Sequence, residues 1–188
     1  MYEYAGDDPV DFFDPFGTDK KDRPKICGYL PSGMIQSFSG NGNFVGTAGS
    51  IDLVTNFRTG EVTSYFSPGY FAGGTTAGVS LTSGYTFGDL GNGNTNFEGG
   101  FTGGFGGLGL VTGSVSTSSG GPAKPWSGMN PTASQHVTTL SGGIQTPGRG
   151  AGANTTYSLP LAKLGNYWTI PTDPTVMALF LANQLCSA

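Results

Sequence analysis

Val79, Leu81, Tyr85 and Phe87 fall on one parity of the chain and Ser80, Thr82, Gly84 and Thr86 on the other. A repeat of two places successive side chains on opposite faces of an extended backbone, a pattern that no helix can satisfy. The same alternation flanks Arg58-Thr59-Gly60-Glu61, with Ile51, Leu53 and Phe57 before it and Val62, Ser64 and Phe66 after it, which predicts a hairpin. Placing the apolar set of this hairpin inward turns Asp52 out to solvent. Phe97, Phe101 and Phe105 are spaced four apart and share one face, and segments 108–117, 137–145 and 155–161 continue the alternation between turns rich in Gly, Asn and Ser. The pattern predicts an all-β fold, an antiparallel glycine-rich meander of roughly seven or eight strands closed into a barrel.

Composition matters because 34 Gly and 12 Pro in 188 residues approach the glycine and proline share of disordered chains. Thirteen Phe, eight Tyr and two Trp argue against disorder, since so many rings demand burial or a partner. Glycines 99, 100, 103, 104, 106, 107 and 109 surround Phe101, Phe105 and Leu108. In a small barrel, curved strands and large rings require missing side chains opposite them; the alternative is a backbone approached closely by a ligand or a membrane. At the C-terminus Asp173 can cap and Pro174 can open a helix through Leu185, apolar nearly all round and too short to span a bilayer. It is expected to bury against the sheet or plug a barrel end, or else to serve as a membrane anchor.

The formal net charge of −4 is unevenly placed, with seven acids and four bases within residues 1–25. No basic stripe is present, so nucleic acid is not an expected partner. No apolar run is long enough for a spanning helix, and the acidic N-terminus lacks the basic-then-apolar order of a signal peptide. Cys27 and Cys186 bracket the predicted domain, either as a disulfide between its first and last segments or as two separate thiols.

Candidates for chemistry are sparse. The single histidine, His136, has no sequence neighbour that completes a nucleophile-base pair. Arg58 and Glu61 read as a solvated pair across a turn. Glu98, Asp52 and Arg149 are isolated charges that become site candidates if they point inward. Trp126 and Met129, in a long proline-containing loop, could bind a ligand or cover the core. Gly104-Phe105-Gly106-Gly107-Leu108-Gly109 matches a dinucleotide fingerprint by spacing alone, because a strand and no helix follows it. No metal signature occurs, and no cofactor is expected.

The segment Tyr4-Ala5-Gly6-Asp7-Asp8-Pro9-Val10-Asp11-Phe12-Phe13-Asp14-Pro15-Phe16-Gly17 resembles the end of the conserved core of Rhs/YD-repeat proteins, over about 14 residues including Asp14, Pro15 and Gly17. The family carries Leu after this glycine, beside its self-cleavage position, where this chain has Thr18. The resemblance implies that residues 1–25 are a boundary motif and linker, extended in form, and that 26–188 form a variable C-terminal domain. It further implies a toxin secreted or delivered into a target cell, with the Rhs shell of the parent protein and a cognate immunity protein as partners. Low charge in the β region and rings alternating with Ser, Thr and Gly permit one face toward lipid, as they also permit a soluble barrel, and membranes are the expected target of such a toxin. Alternatives are an enzymatic toxin with Arg58, Glu98, His136 or Arg149 gathered at the barrel mouth, and a non-toxic ligand-binding or structural β module.

Overall fold

The computed structural model describes residues 29–41, 46–75, 78–118, 137–166 and 174–187. These form six strands, β1 (Gly33–Asn41), β2 (Thr47–Asn56), β3 (Glu61–Thr75), β4 (Gly78–Phe87), β5 (Gly99–Ser118) and β6 (Thr138–Asn166), followed by helix α1 (Pro174–Ser187). The fold is mostly antiparallel β with one C-terminal helix. The β2–β3 turn forms as the alternation predicts. Gly60 has φ 73°, and Asn56 Oδ1 accepts the backbone N–H of Arg58 at 2.8 Å, so the side chain closes the turn.

The sheet runs β3-β2-β1-β4-β6-β5, and β3 also pairs with β6, so five strands form a ring of antiparallel pairings. Direction alternates from strand to strand around such a ring, and an odd number of straight strands cannot close it. β6 resolves the conflict by counting twice. Its pairing with β4 ends at Gln145 and its pairing with β3 begins at Gly150, so the strand reverses between them. β5 follows β6 through this bend, with Leu108 opposite Arg149 and Gly109 opposite Gly148. Gly109 adopts φ 63° beside a register shift, a conformation that glycine takes without a Cβ penalty. The two arms of β5 then lie against each other: Thr112 Oγ1 donates to Gly106 O at 3.4 Å, and a Cβ on Gly103 would run into Val115 O and Ser116. The five-strand ring and the β5 ribbon on β6 together comprise eight strand segments drawn from six strands. Segments 108–117 and 155–161, expected as separate strands, are instead arms of β5 and β6, because the β5–β6 ribbon bends without breaking its pairing.

The end of the ring that carries the β2–β3 turn is filled. A short 3-10 segment, Asn92–Phe97, enters it and brings Leu90 and Phe97 against Ile35, Val54, Tyr65, Phe101 and Val137. Tyr65 and Phe97 rings lie 4.9 Å apart, Phe97 and Phe101 4.8 Å. Asn94, at φ 59°, is fully buried and donates through Nδ2 to Val54 O at 3.2 Å and Thr63 Oγ1 at 3.1 Å. α1 is held at the same end, where Asn183 Nδ2 donates to Pro31 O at 2.8 Å and Gln184 Nε2 to Arg58 O at 2.6 Å. Val176 is its one buried apolar residue, whereas Leu181 and Leu185 are exposed, so the helix rests on the ring end and is not buried in it.

Candidate functional site

A row of apolar side chains runs along the outer face of the strands. Following partners across the sheet, Val111, Ile144, Leu81, Phe38, Ile51, Phe66 and Leu159 stand side by side on seven consecutive segments. All are between 38 and 67% exposed. Glu98, preceding the Gly99 that pairs with Ser158, marks where this row stops. Four residues along, roughly 13 Å at strand rise, a second row runs Val115, Leu140, Tyr85, Met34. Between the rows lie Gly113, Gly142, Ser83 and Gln36.

The inner face is lined by hydroxyls. One row reads Ser80, Ser39, Ser50, Ser67, and the next reads Thr112, Gly143, Thr82, Ser37, Asp52. Cross-strand hydroxyl pairs hold it together, Ser39–Ser80 at 2.6 Å, Ser114–Ser141 at 2.8 Å and Ser116–Thr139 at 2.6 Å between oxygens. Between this wall and the rings of Phe71, Phe97, Phe101 and Phe105 lies a cavity of about 180 Å³. Asp52 is 5% exposed and reverses its expected outward position. Its Oδ2 accepts from Ser50 Oγ at 3.0 Å and Ser67 Oγ at 2.6 Å, and Ser67 Oγ lies 2.9 Å from Ser158 Oγ. The parity of Ile51 and Asp52 is as the alternation predicts, while the sidedness is inverted.

The charged candidates do not converge. Arg58 pairs with Asp89 at 3.8 Å and Glu61 with Lys163 at 3.0 Å, so the expected Arg58–Glu61 pair is replaced by two pairs at the filled end. Arg149 sits at the β6 bend, at the opposite end, on the rim of the cavity. Glu98 lies next to Tyr65, whose phenol pKa is raised well above its ordinary value by burial and then by the carboxylates of Glu98 and Glu61, with Thr63 opposing. Tyr65 OH donates to Asn94 O at 2.8 Å. A folded-state pKa above the unfolded one withdraws stability as pH rises past the unfolded value, here about 10. Urea midpoints measured from pH 8 to 11 are therefore expected to fall above pH 10, and more weakly in Tyr65→Phe.

His136, Trp126, Met129, Asp14, Pro15, Gly17 and Cys27 lie outside the described residues. Cys186 is disulfide-bonded. Among the described residues no group of three or more His, Cys, Asp or Glu could hold a metal ion. No helix among them is long and apolar enough to cross a membrane, which leaves strands as a means of crossing untouched. The hydroxyl wall was legible as the second parity of each strand, but nothing in one strand says which parity faces inward. Comparison with family models, curated proteins and solved structures returns no match to this chain.

Proposed function

We propose that this chain is the membrane-acting C-terminal domain of an Rhs-type delivered toxin, folded as an eight-segment β-barrel whose outer face meets lipid. The observation that carries the reading is the inverted sidedness: an apolar row on seven segments outside and a wall of serine and threonine inside. In water this arrangement leaves large apolar side chains hydrated, whereas in a bilayer the same side chains meet hydrocarbon and the hydroxyls line one wall of an interior whose other wall is the rings of Phe71, Phe97, Phe101 and Phe105. Barrel closure is supported by the even number of segments and by the contact of Gly103 with Val115 and Ser116. Closure also satisfies the backbone groups that an open edge would expose to lipid. The 9 residues of β1 and the 10 of β2 and β4 suit tilted spanning strands.

Charge supports a direction of insertion. Both described ion pairs lie at the filled end, while the opposite end, built from residues 41, 46, 75, 78 and the bends 106–110 and 145–150, carries Arg149 alone among the described residues. The glycine-rich bends enter the bilayer and the helix end stays at the aqueous surface. Delivery, the shell of the parent protein and a cognate immunity protein follow from the motif around Asp14, Pro15 and Gly17. Flotation and dye release with large unilamellar vesicles test the reading. Co-flotation and release at micromolar protein are expected; protein that remains below the lipid and releases no dye would remove the membrane role and leave a soluble binding module.

A further inference from the structure

We infer that the interior binds a small monovalent cation, an alkali ion or a protonated primary amine, at Asp52. The inference concerns the inner wall and does not depend on what the outer face meets. Asp52 is almost wholly removed from solvent, and a carboxylate in that position is costly unless its charge is answered. Neutral hydroxyls supply the hydrogen bonds to Oδ2, from Ser50 and Ser67, and the second is fixed in turn by Ser158. No cationic side chain answers it among the described residues. Arg58 and Lys163 are engaged with Asp89 and Glu61. Arg149, the one basic residue on the cavity wall, stands six positions along β6 from Gly143, which is level with Thr82, Ser37 and Asp52. Arg149 lies in the bend where β6 reverses and forms no ion pair with Asp52; the described ion pairs are those of Arg58 and Lys163.

The wall beside Asp52 is rich in oxygen. Ser37, Ser39, Ser80 and Thr82 line the same cavity and can turn their lone pairs toward a bound cation. A single carboxylate among neutral oxygens argues against Ca²⁺ or Mg²⁺, whose sites gather several charged oxygens, and favours a single positive charge. A volume of about 180 Å³ admits an alkali ion with waters or a small alkylammonium.

The test uses the full chain, in buffer or in whichever micelle keeps it monodisperse, at constant chloride and ionic strength. Thermal midpoints are measured in potassium, sodium, methylammonium and N-methylglucamine chloride. Binding to the folded state raises the midpoint by mass action, and a rise of about 5 °C over N-methylglucamine is expected at concentrations far above Kd. A rise in potassium or sodium alone assigns the site to a metal ion, and a rise confined to methylammonium assigns it to an amine. Asp52→Asn should abolish the difference between salts, and Ser67→Ala should reduce it. Equal midpoints in all four salts overturn the inference. If the asparagine variant does not fold, calorimetric titration of the unmodified chain with the same four salts decides, and the absence of saturable heat for the three small cations sinks the site.

Discussion

Replacing Phe38 and Ile144 together by lysine is expected to abolish association with lipid vesicles while leaving the fold intact. Both residues belong to the outer row, at 54 and 64% exposure, and Leu81 of β4 stands between them. On the lipid face of a spanning barrel a lysine near the bilayer midplane costs about 2 to 4 kcal/mol. Two strands apart, the sites are far enough separated for their effects to add approximately, to about 4 to 8 kcal/mol, so vesicle partitioning should fall at least 10³-fold. In water neither side chain is core, and the loss is confined to cross-strand pairs such as Phe38–Ile51 and Phe38–Leu81, about 0.2 to 1 kcal/mol each. Flotation and a urea melt on the same sample separate the two effects. Unchanged flotation would show that lipid, if bound at all, is met by another surface; a large loss of stability would show that the row is packed against protein.

The largest expected effect on stability comes from the seam between β4 and β6. Gly84 and Gly143 point inward there, and a Cβ on Gly84 would run into Leu140 O and Ser141, one on Gly143 into Leu81 O and Thr82 Cα. The obstructing atoms are backbone, so no side-chain rotation relieves them. Inward glycines let neighbouring strands bend toward each other, as a ring of this size requires. Gly84→Ala or Gly143→Ala is expected to cost about 3 kcal/mol each through overpacking and loss of curvature. Gly106→Ala, where a Cβ meets nothing within 4 Å, should be close to neutral. Urea midpoints of the three variants decide the matter. Equal stabilities would mean that the seam is looser than its geometry requires.

Much of the fold was legible in the chain. Alternation on both sides of Thr59-Gly60 marks the hairpin of β2 and β3, the run from Val79 to Phe87 marks β4, and the change of period after Pro174 marks α1. β1 gave no comparable signal, because Gly33-Met34-Ile35-Gln36-Ser37-Phe38-Ser39-Gly40-Asn41 mixes Ser, Gly and Gln among three apolar residues, yet it lies between β2 and β4 in the ring. The bends of β5 and β6 were hidden for a different reason. A ribbon that folds back while its pairing continues carries the same turn residues as two separate strands, and its continuity exists only in the partner register.

What the sequence by itself determined is the partition of side chains into two sets along each strand, since parity is a local property of an extended backbone. Which set faces inward is a property of the closed ring. The concave wall is crowded, and it admits serine, threonine and glycine such as Ser39, Ser80, Gly84 and Gly143. The convex wall has room for Phe38, Ile51, Leu81 and Ile144. Along β1, β2, β4 and β6 curvature thus places Phe38, Ile51, Leu81 and Ile144 outside and carries Asp52 inside, while Tyr65, Phe101 and Phe105 fill or line the interior from β3 and β5. The preference for burying apolar groups points the other way, and a single strand read alone has no curvature with which to oppose it.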